Sequence, residues 1–381
     1  MNPSESSTAK RRFPSTAWVV RYLPAALAFG YFASLAFLPA ITSRWVDFPV
    51  YWEAGKKAVL GMTVYDVAGH FQYKYSPLIA LLFGKLFQNV DYEIASFVFQ
   101  KLMLFFWIAL FLRFAKRDFR VVLVLILFFG NALRLDLELG QINAFVLLLL
   151  AMLFAALERP RRLAEDLPFA AVFSLAVQLK LFALVLVPLL IFTREWRKLF
   201  FGLLFLPLMS IGLVAYSSGW EFAVAENRAW IASLFDSTDS LLLSEQNVGV
   251  LGVFGKIFGV GIGKAVWLAS GVGFAIFLWR NRDRTVPWFR DWLLYGIAIF
   301  NPLVWSYWVL YTLPLFATRQ IDFEGAFRRR SRGIRIFGLT AAFFTFLAFN
   351  GQHARWAWNG GILLGLILLG VVASRVRAGR A

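Results

Sequence analysis

Long apolar runs separated by short polar breaks make up most of the chain, and two of them, Ile142 to Leu157 and Leu199 to Tyr216, hold no charge at all. Runs of this kind predict bilayer-spanning helices, each needing about 20 apolar residues. The first long stretch, from about Ala17 to Ile41, exceeds the apolar region of a cleaved leader and reads as an uncleaved first span. Basic clusters punctuate the rest of the chain, among them Lys116 to Arg120, Arg159 to Arg162, Arg194 to Lys198, Arg280 to Arg290, Arg319 to Arg335 and Arg375 to Arg380. If these clusters lie on the cytoplasmic side, each segment between neighbours leaves and returns as a hairpin. The apices then fall near Arg134 to Asn143, at Lys180, across Ser217 to Asn247, at Asn301 to Trp308 and at Asn350 to Asn359.

This pattern predicts an all-α polytopic membrane protein with about twelve crossings and both termini inside. One transmembrane domain covers 17–373, with cytoplasmic tails at 1–16 and 374–381 and two larger external loops at 42–76 and 217–247. Asp47, Lys180 and Asn247 should face outside, and Arg161, Arg197 and Arg329 the cytoplasm. Leu167 to Thr193 is only 27 residues long with Lys180 at its middle, so two half-length or strongly tilted helices should meet there. Tyr75 to Ala115 fits either one crossing preceded by a shallow helix or two crossings.

In the first external loop, Phe48, Tyr51, Trp52, Gly55 and Val59 recur at helical spacing, with Glu53, Lys56 and Lys57 on another face. That spacing predicts an amphipathic helix over Asp47 to Leu60 lying on the membrane surface and ended by Gly61. Tyr65, Phe71, Tyr73 and Tyr75 come next as an interfacial aromatic belt, and Gly219 to Leu234 repeats the style.

Composition removes several chemistries. The 381 residues are 60% hydrophobic and 16% charged, against about 25% charged in soluble domains, and leave no room for a soluble catalytic domain. Zero cysteines exclude disulfides, thiolate nucleophiles and Cys-ligated metals, and the two histidines, His70 and His353, lie far apart; no metal site is expected. A net charge of +17 would ordinarily point to nucleic acid, but here the charges mark span ends, so membrane lipid rather than nucleic acid is the expected partner. Glycines from Gly255 to Gly263 before Lys264 have the wrong spacing for a phosphate loop, with Ala265 where Ser or Thr is needed.

Few polar groups then need a reason. Asp47 stands at the start of the amphipathic helix, two residues before Pro49; it is either an N-cap or a general base at the membrane surface. Lys180 is either a snorkelling lysine or a cation facing a cavity or an anion. Arg134, Asp136 and Glu138 beside Gly140, Gln141 and Asn143 make a polar apex, and Ser244 to Gly249 resembles an N-cap box.

The stretches Asp47-Phe-Pro-Val-Tyr51-Trp-Glu-Ala54-Gly55, Phe71-Gln-Tyr73-Lys-Tyr75-Ser-Pro77, Gly140-Gln141-Ile-Asn143, Gln178-Leu-Lys180, Ser244-Glu-Gln246-Asn247-Val-Gly249 and Asn301-Pro302-Leu-Val-Trp305 occur in an order and sidedness that resembles glycosyltransferase family 87. These are polyprenol-phosphate-mannose-dependent mannosyltransferases of the GT-C superfamily. The resemblance implies a GT-C-type helix bundle in the cell membrane, with the active site facing the periplasm or exterior. It also implies a polyprenyl-phosphate sugar donor, a lipid or glycan acceptor, no cofactor, and a monomer. The family's catalytic aspartate carries onto Asp47. Lys180, helped by Arg134 or Arg228, would meet the donor phosphate. Tyr51, Tyr75, Gln141, Asn143, Gln246, Asn247, Trp305 and Tyr307 would contact sugar or acceptor. A His that often follows the Trp of the late external loop is absent, Tyr307 standing nearby instead. The other class that fits is a transporter or lipid flippase with Lys180 on an anionic substrate.

Overall fold

The structure, a computed structural model, describes residues 16–41, 47–65, 73–159, 163–317, 346 and 360–377. Residues 1–15 and 378–381 of the two tails, the cluster Arg319 to Arg335 and the apex at Asn350 to Asn359 lie outside those residues; the last helix runs on to Arg377, past the expected domain end at 373. Every described element is helical.

Helix α1 (Thr16–Ala36) forms the first apolar stretch. Helix α2 (Asp47–Val59) has nearly the expected bounds. Its end is also as expected: Gly61 sits at φ +69°, with Gly61 N donating to Ala58 O at 3.2 Å and Met62 N to Lys57 O at 2.9 Å, a Schellman stop. Its apolar face, however, is buried in protein rather than laid on lipid. Phe48 is fully buried among the rings of Phe83, Tyr92 and Phe99. Gly55 lies against Gly84 of α3 (Pro77–Phe87), so closely that a Cβ on Gly55 would stand 2.8 Å from Gly84 N. Two facing glycines let these backbones meet, as small residues do between membrane helices.

The ambiguous stretch resolves into the 11-residue α3, about 16 Å long at 1.5 Å per residue, and α4 (Tyr92–Phe114), whose 23 residues are long enough to cross. Helices α5 (Phe119–Glu138) and α6 (Asn143–Leu157) turn through 118° at the apex expected there. Helix α7 (Asp166–Leu179) ends at Lys180, after which a 3₁₀ turn (Leu181–Val185) leads into α8 (Leu186–Phe192). The chain therefore breaks at the predicted vertex.

Helix α9 (Trp196–Pro207), a π turn (Leu208–Leu213) and α10 (Val214–Ser218) run on as one 23-residue apolar segment. Pro207 lacks an N–H and the π turn shifts the ladder, so backbone carbonyls need outside donors. Ser174 Oγ donates to Phe205 O at 3.2 Å, Gln178 Nε2 to Leu206 O at 3.1 Å and Asn227 Nδ2 to Ser210 O at 2.8 Å. Helices α11 (Trp220–Leu241), α12 (Val250–Phe258), α13 (Val260–Arg280), α14 (Val286–Phe300), a 3₁₀ helix (Ser306–Thr312) and α15 (Ile362–Arg377) complete the described chain.

Among the described residues, three helices are long and apolar enough to cross a membrane, or four if the bent α5–α6 pair is one span. The sequence pattern predicts about twelve crossings. That count covers the described residues alone and so does not test the twelve; beside those helices lie shorter apolar ones of 10–17 residues, such as Pro77–Phe87 and Asp166–Leu179.

Candidate functional site

The α5–α6 apex is where distant segments first meet. Gly140 adopts φ +66°, with Gly140 N donating to Leu137 O at 3.1 Å and Gln141 N to Asp136 O at 2.9 Å, again a Schellman stop. A Cβ on Gly140 would stand 2.7 Å from Phe48 Cβ, so only glycine lets α2 approach the apex this closely. The start of α2 is fastened twice: Asp47 N donates to Leu139 O at 3.0 Å, and Gln141 Nε2 donates to the Asp47 carboxylate.

Behind this turn runs a buried polar chain. Trp107 Nε1 and Asn143 Nδ2 donate to the two oxygens of the fully buried Asp136 at 2.8 and 2.7 Å, and Tyr311 OH donates to Asn143 Oδ1 at 3.0 Å. With both carboxylate oxygens engaged, this chain links α4, α5, α6 and the Ser306–Thr312 turn behind the apex.

In front of it lies a cavity of about 350 Å³, within the usual range of about 300–1,000 Å³ for small-molecule sites. Asp47, Lys74, Tyr75, Gln141, Lys180, Gln246, Trp305 and Tyr307 line it, together with Gln178, Trp230, Trp308 and apolar side chains such as Leu139, Leu181 and Phe182. The segment carrying Lys74 is tied on both sides. Trp230 Nε1 donates to Lys74 O at 3.1 Å, Tyr65 OH to Tyr75 O at 2.5 Å, and Ser76 N to Gln178 O at 3.2 Å. Lys180 Nζ stands over the rings of Tyr75 and Trp308, at 5.0 and 5.7 Å.

Burial holds the Asp47 carboxyl above the usual carboxylate range, against the opposing pull of Lys180, Lys74 and the Gln141 amide. Burial likewise lowers the Lys74 ammonium from its ordinary value, with Asp47 opposing the shift. A half-buried carboxylate that shares a cavity with two cations is able to take up a proton and, with the lysines, to hold an anion. Among the described residues, no three His, Asp or Glu side chains group closely enough to hold a metal ion.

Seven of the residues singled out from the sequence thus share the cavity: Asp47, Tyr75, Gln141, Lys180, Gln246, Trp305 and Tyr307. Tyr51 stands one layer behind, its OH 2.7 Å from Tyr75 OH. Asn143 belongs to the buried chain. Asn247 staples two rim loops, Nδ2 donating to Leu242 O at 3.0 Å and Pro302 O at 2.9 Å while Oδ1 accepts from Val304 N at 3.1 Å.

Arg134 and Arg228 stand off the cavity. Two residues along a helix is a rotation of about 200°, so Arg134 faces away from the side that carries Asp136 and pairs instead with Glu138 at 2.6 Å. Arg228, two residues from the inward-facing Glu226 and Trp230, is exposed for the same reason. Lys74, which the sequence analysis did not single out, lines the cavity instead. Its sequence signal was a lone cation inside an aromatic belt, between Tyr73 and Tyr75.

Residues 73–294 match the sequence profile of Glycosyltransferase family 87, well over half of the chain. The match takes in Lys74, Gln141, Lys180 and Gln246, and leaves Asp47, Trp305 and Tyr307 outside it. No curated protein and no solved structure matches the chain. On the extent of the profile match, the chain belongs to glycosyltransferase family 87.

Proposed function

We propose that the protein transfers a hexose, mannose by the family resemblance, from a polyprenyl-phosphate-linked donor to a hydroxyl of a lipid or glycan acceptor at the external membrane face. The observation that carries this reading is the meeting of Asp47, Lys180 and Lys74 on one cavity in a chain of a glycosyltransferase family. Asp47 acts as general base. It removes the proton of the acceptor hydroxyl, whose oxygen attacks the anomeric carbon from the face opposite the phosphate, so configuration inverts. A lipid phosphate departs without needing protonation, so one base serves where a glycosidase needs two carboxylates.

Lys180 takes the donor phosphate as a charged hydrogen-bond donor. Tyr75, Trp305 and Tyr307 offer flat surfaces and hydroxyls to the sugar, and Gln246 a hydrogen-bonding amide at the rim. Leu139, Leu181 and Phe182 give the first prenyl units an apolar wall. Family membership favours transfer over transport as the use of this cavity.

Asp47→Asn tests the reading. Asn caps a helix nearly as well as Asp, so the variant should fold. It accepts no proton in the working range, so transfer from a labelled polyprenyl-phosphate-mannose to membrane acceptors should fall by about 100- to 10,000-fold. Near-normal transfer would make Asp47 a helix cap and nothing more.

A further inference from the structure

The cavity holds a cation, Lys74, to which the transfer reading gives no separate role. Lys74 and Lys180 both line it with Asp47, and neither makes a direct ion pair with an acidic side chain among the described residues. Lys180 is surrounded by the rings of Tyr75 and Trp308. Lys74 is no loose surface lysine. Its backbone is anchored to Trp230 of α11, and the segment after it to Gln178 of α7. Two ammonium groups and one carboxylate line the aromatic-walled cavity, while the other carboxylate near Lys180, Asp136, is engaged by Trp107 and Asn143; the lining itself carries a surplus positive charge, and desolvated charge calls for a counter-ion.

We propose that Lys74 is a second cationic ligand of the leaving phosphate, matched to the charge that appears only as the glycosyl bond breaks. This rests on the transfer reading of the same cavity. In that step the acceptor proton passes to the Asp47 carboxylate. The acceptor oxygen's electron pair forms the bond to the anomeric carbon, and the pair of the carbon–oxygen bond leaves with the phosphate. A phosphodiester carrying one negative charge becomes a phosphomonoester carrying two, while Asp47 goes from one negative charge to none. With both lysines charged, the charged groups lining the cavity and the phosphate sum to zero before and after. Lys74 therefore acts first as a counter-charge to Asp47 and then as a ligand of the new phosphate charge, so its contribution is greatest in the transition state and product.

The test is a binding measurement on the full-length protein in detergent. The probes are a short-chain prenyl monophosphate and a dialkyl phosphate diester of the same chain length, titrated calorimetrically at pH about 8. At that pH the monoester, with a second ionisation near pH 6, is a dianion. Wild type should prefer the monoester by on the order of tenfold, as one charged hydrogen bond would give. Lys74→Gln should erase that preference and leave diester binding nearly unchanged, and Lys74→Arg should restore much of it. Equal loss for both probes, no loss for either, or a wild type without preference would overturn the proposal. The wild-type comparison stands even where Lys74→Gln fails to fold. Transfer by Asp47→Asn would overturn the base assignment while leaving the two-lysine measurement intact, so the two readings fail separately.

Discussion

At the scale of single residues, the strength of Asp47 as a base depends on Gln141. The amide donates to the carboxylate, and such a bond favours the charged form, as do Lys180 and Lys74, while burial opposes all three and prevails. The base works when ionised, so the acid limb of the pH–rate profile follows the Asp47 pKa and should lie above the usual range near pH 3.9. Gln141→Leu removes a stabiliser of the charged form and should move that limb to higher pH. Gln141→Glu adds a second negative charge beside the first and should move it further in the same direction. The kcat/KM profile of each variant against wild type is the measurement, and coincident acid limbs would remove Gln141 from any part in tuning the base.

At the scale of elements, glycines set how closely α2 is held. Gly140 meets Phe48 at the apex, and Gly84 meets Gly55 along α3. Gly140→Ala would place a Cβ both against Phe48 and in the left-handed region, a backbone penalty of about 1–2 kcal/mol before any clash. Gly84→Ala would push on the α2 backbone itself, and such overpacking costs about 1–3 kcal/mol. Because Asp47 begins α2, either change displaces the base. A shift of about 1 Å can cost about 100-fold in rate, so transfer should fall far more than the detergent-phase Tm. A fall in Tm with unaltered transfer would show that α2 tolerates movement relative to the apex.

For the whole molecule, the arrangement of basic clusters leads to opposite sides for α2 and the start of α9. Glu53 and Arg197 are both exposed, and the chain has no native cysteine. Single Glu53→Cys and Arg197→Cys variants should react with a membrane-impermeant maleimide from opposite faces, Glu53→Cys from outside. Labelling of both from one face would invert the placement of the cavity. The sixteen-residue α15 and the 23-residue α4 show why crossings are not simply a count of apolar runs: length, tilt and a vertex such as Lys180 decide what each run does.

Features that depend only on neighbouring residues were legible in the chain alone. Apolar run length predicted a helical membrane chain. Gly61 and Lys180 marked breaks that the structure shows at those positions, because a residue at positive φ or a cation between apolar runs acts locally. The 3.6-residue period placed α2 within a residue of its bounds but could not say whether its apolar face met lipid or protein. Periodicity reports which face is apolar, not what covers it. Membership of the cavity was decided by tertiary structure. Asp47 and Gln141 stand 94 positions apart, and Asn143 and Tyr311 stand 168 apart. Arg134, expected as a helper of Lys180, turns outward because its helix turns Asp136 inward. Lys74, not among the candidates, lines the cavity, with Trp230 and Gln178 fastening the backbone around it. Rotation of a helix about its axis is set by the packing of every neighbour at once, and no local stretch of sequence contains that information.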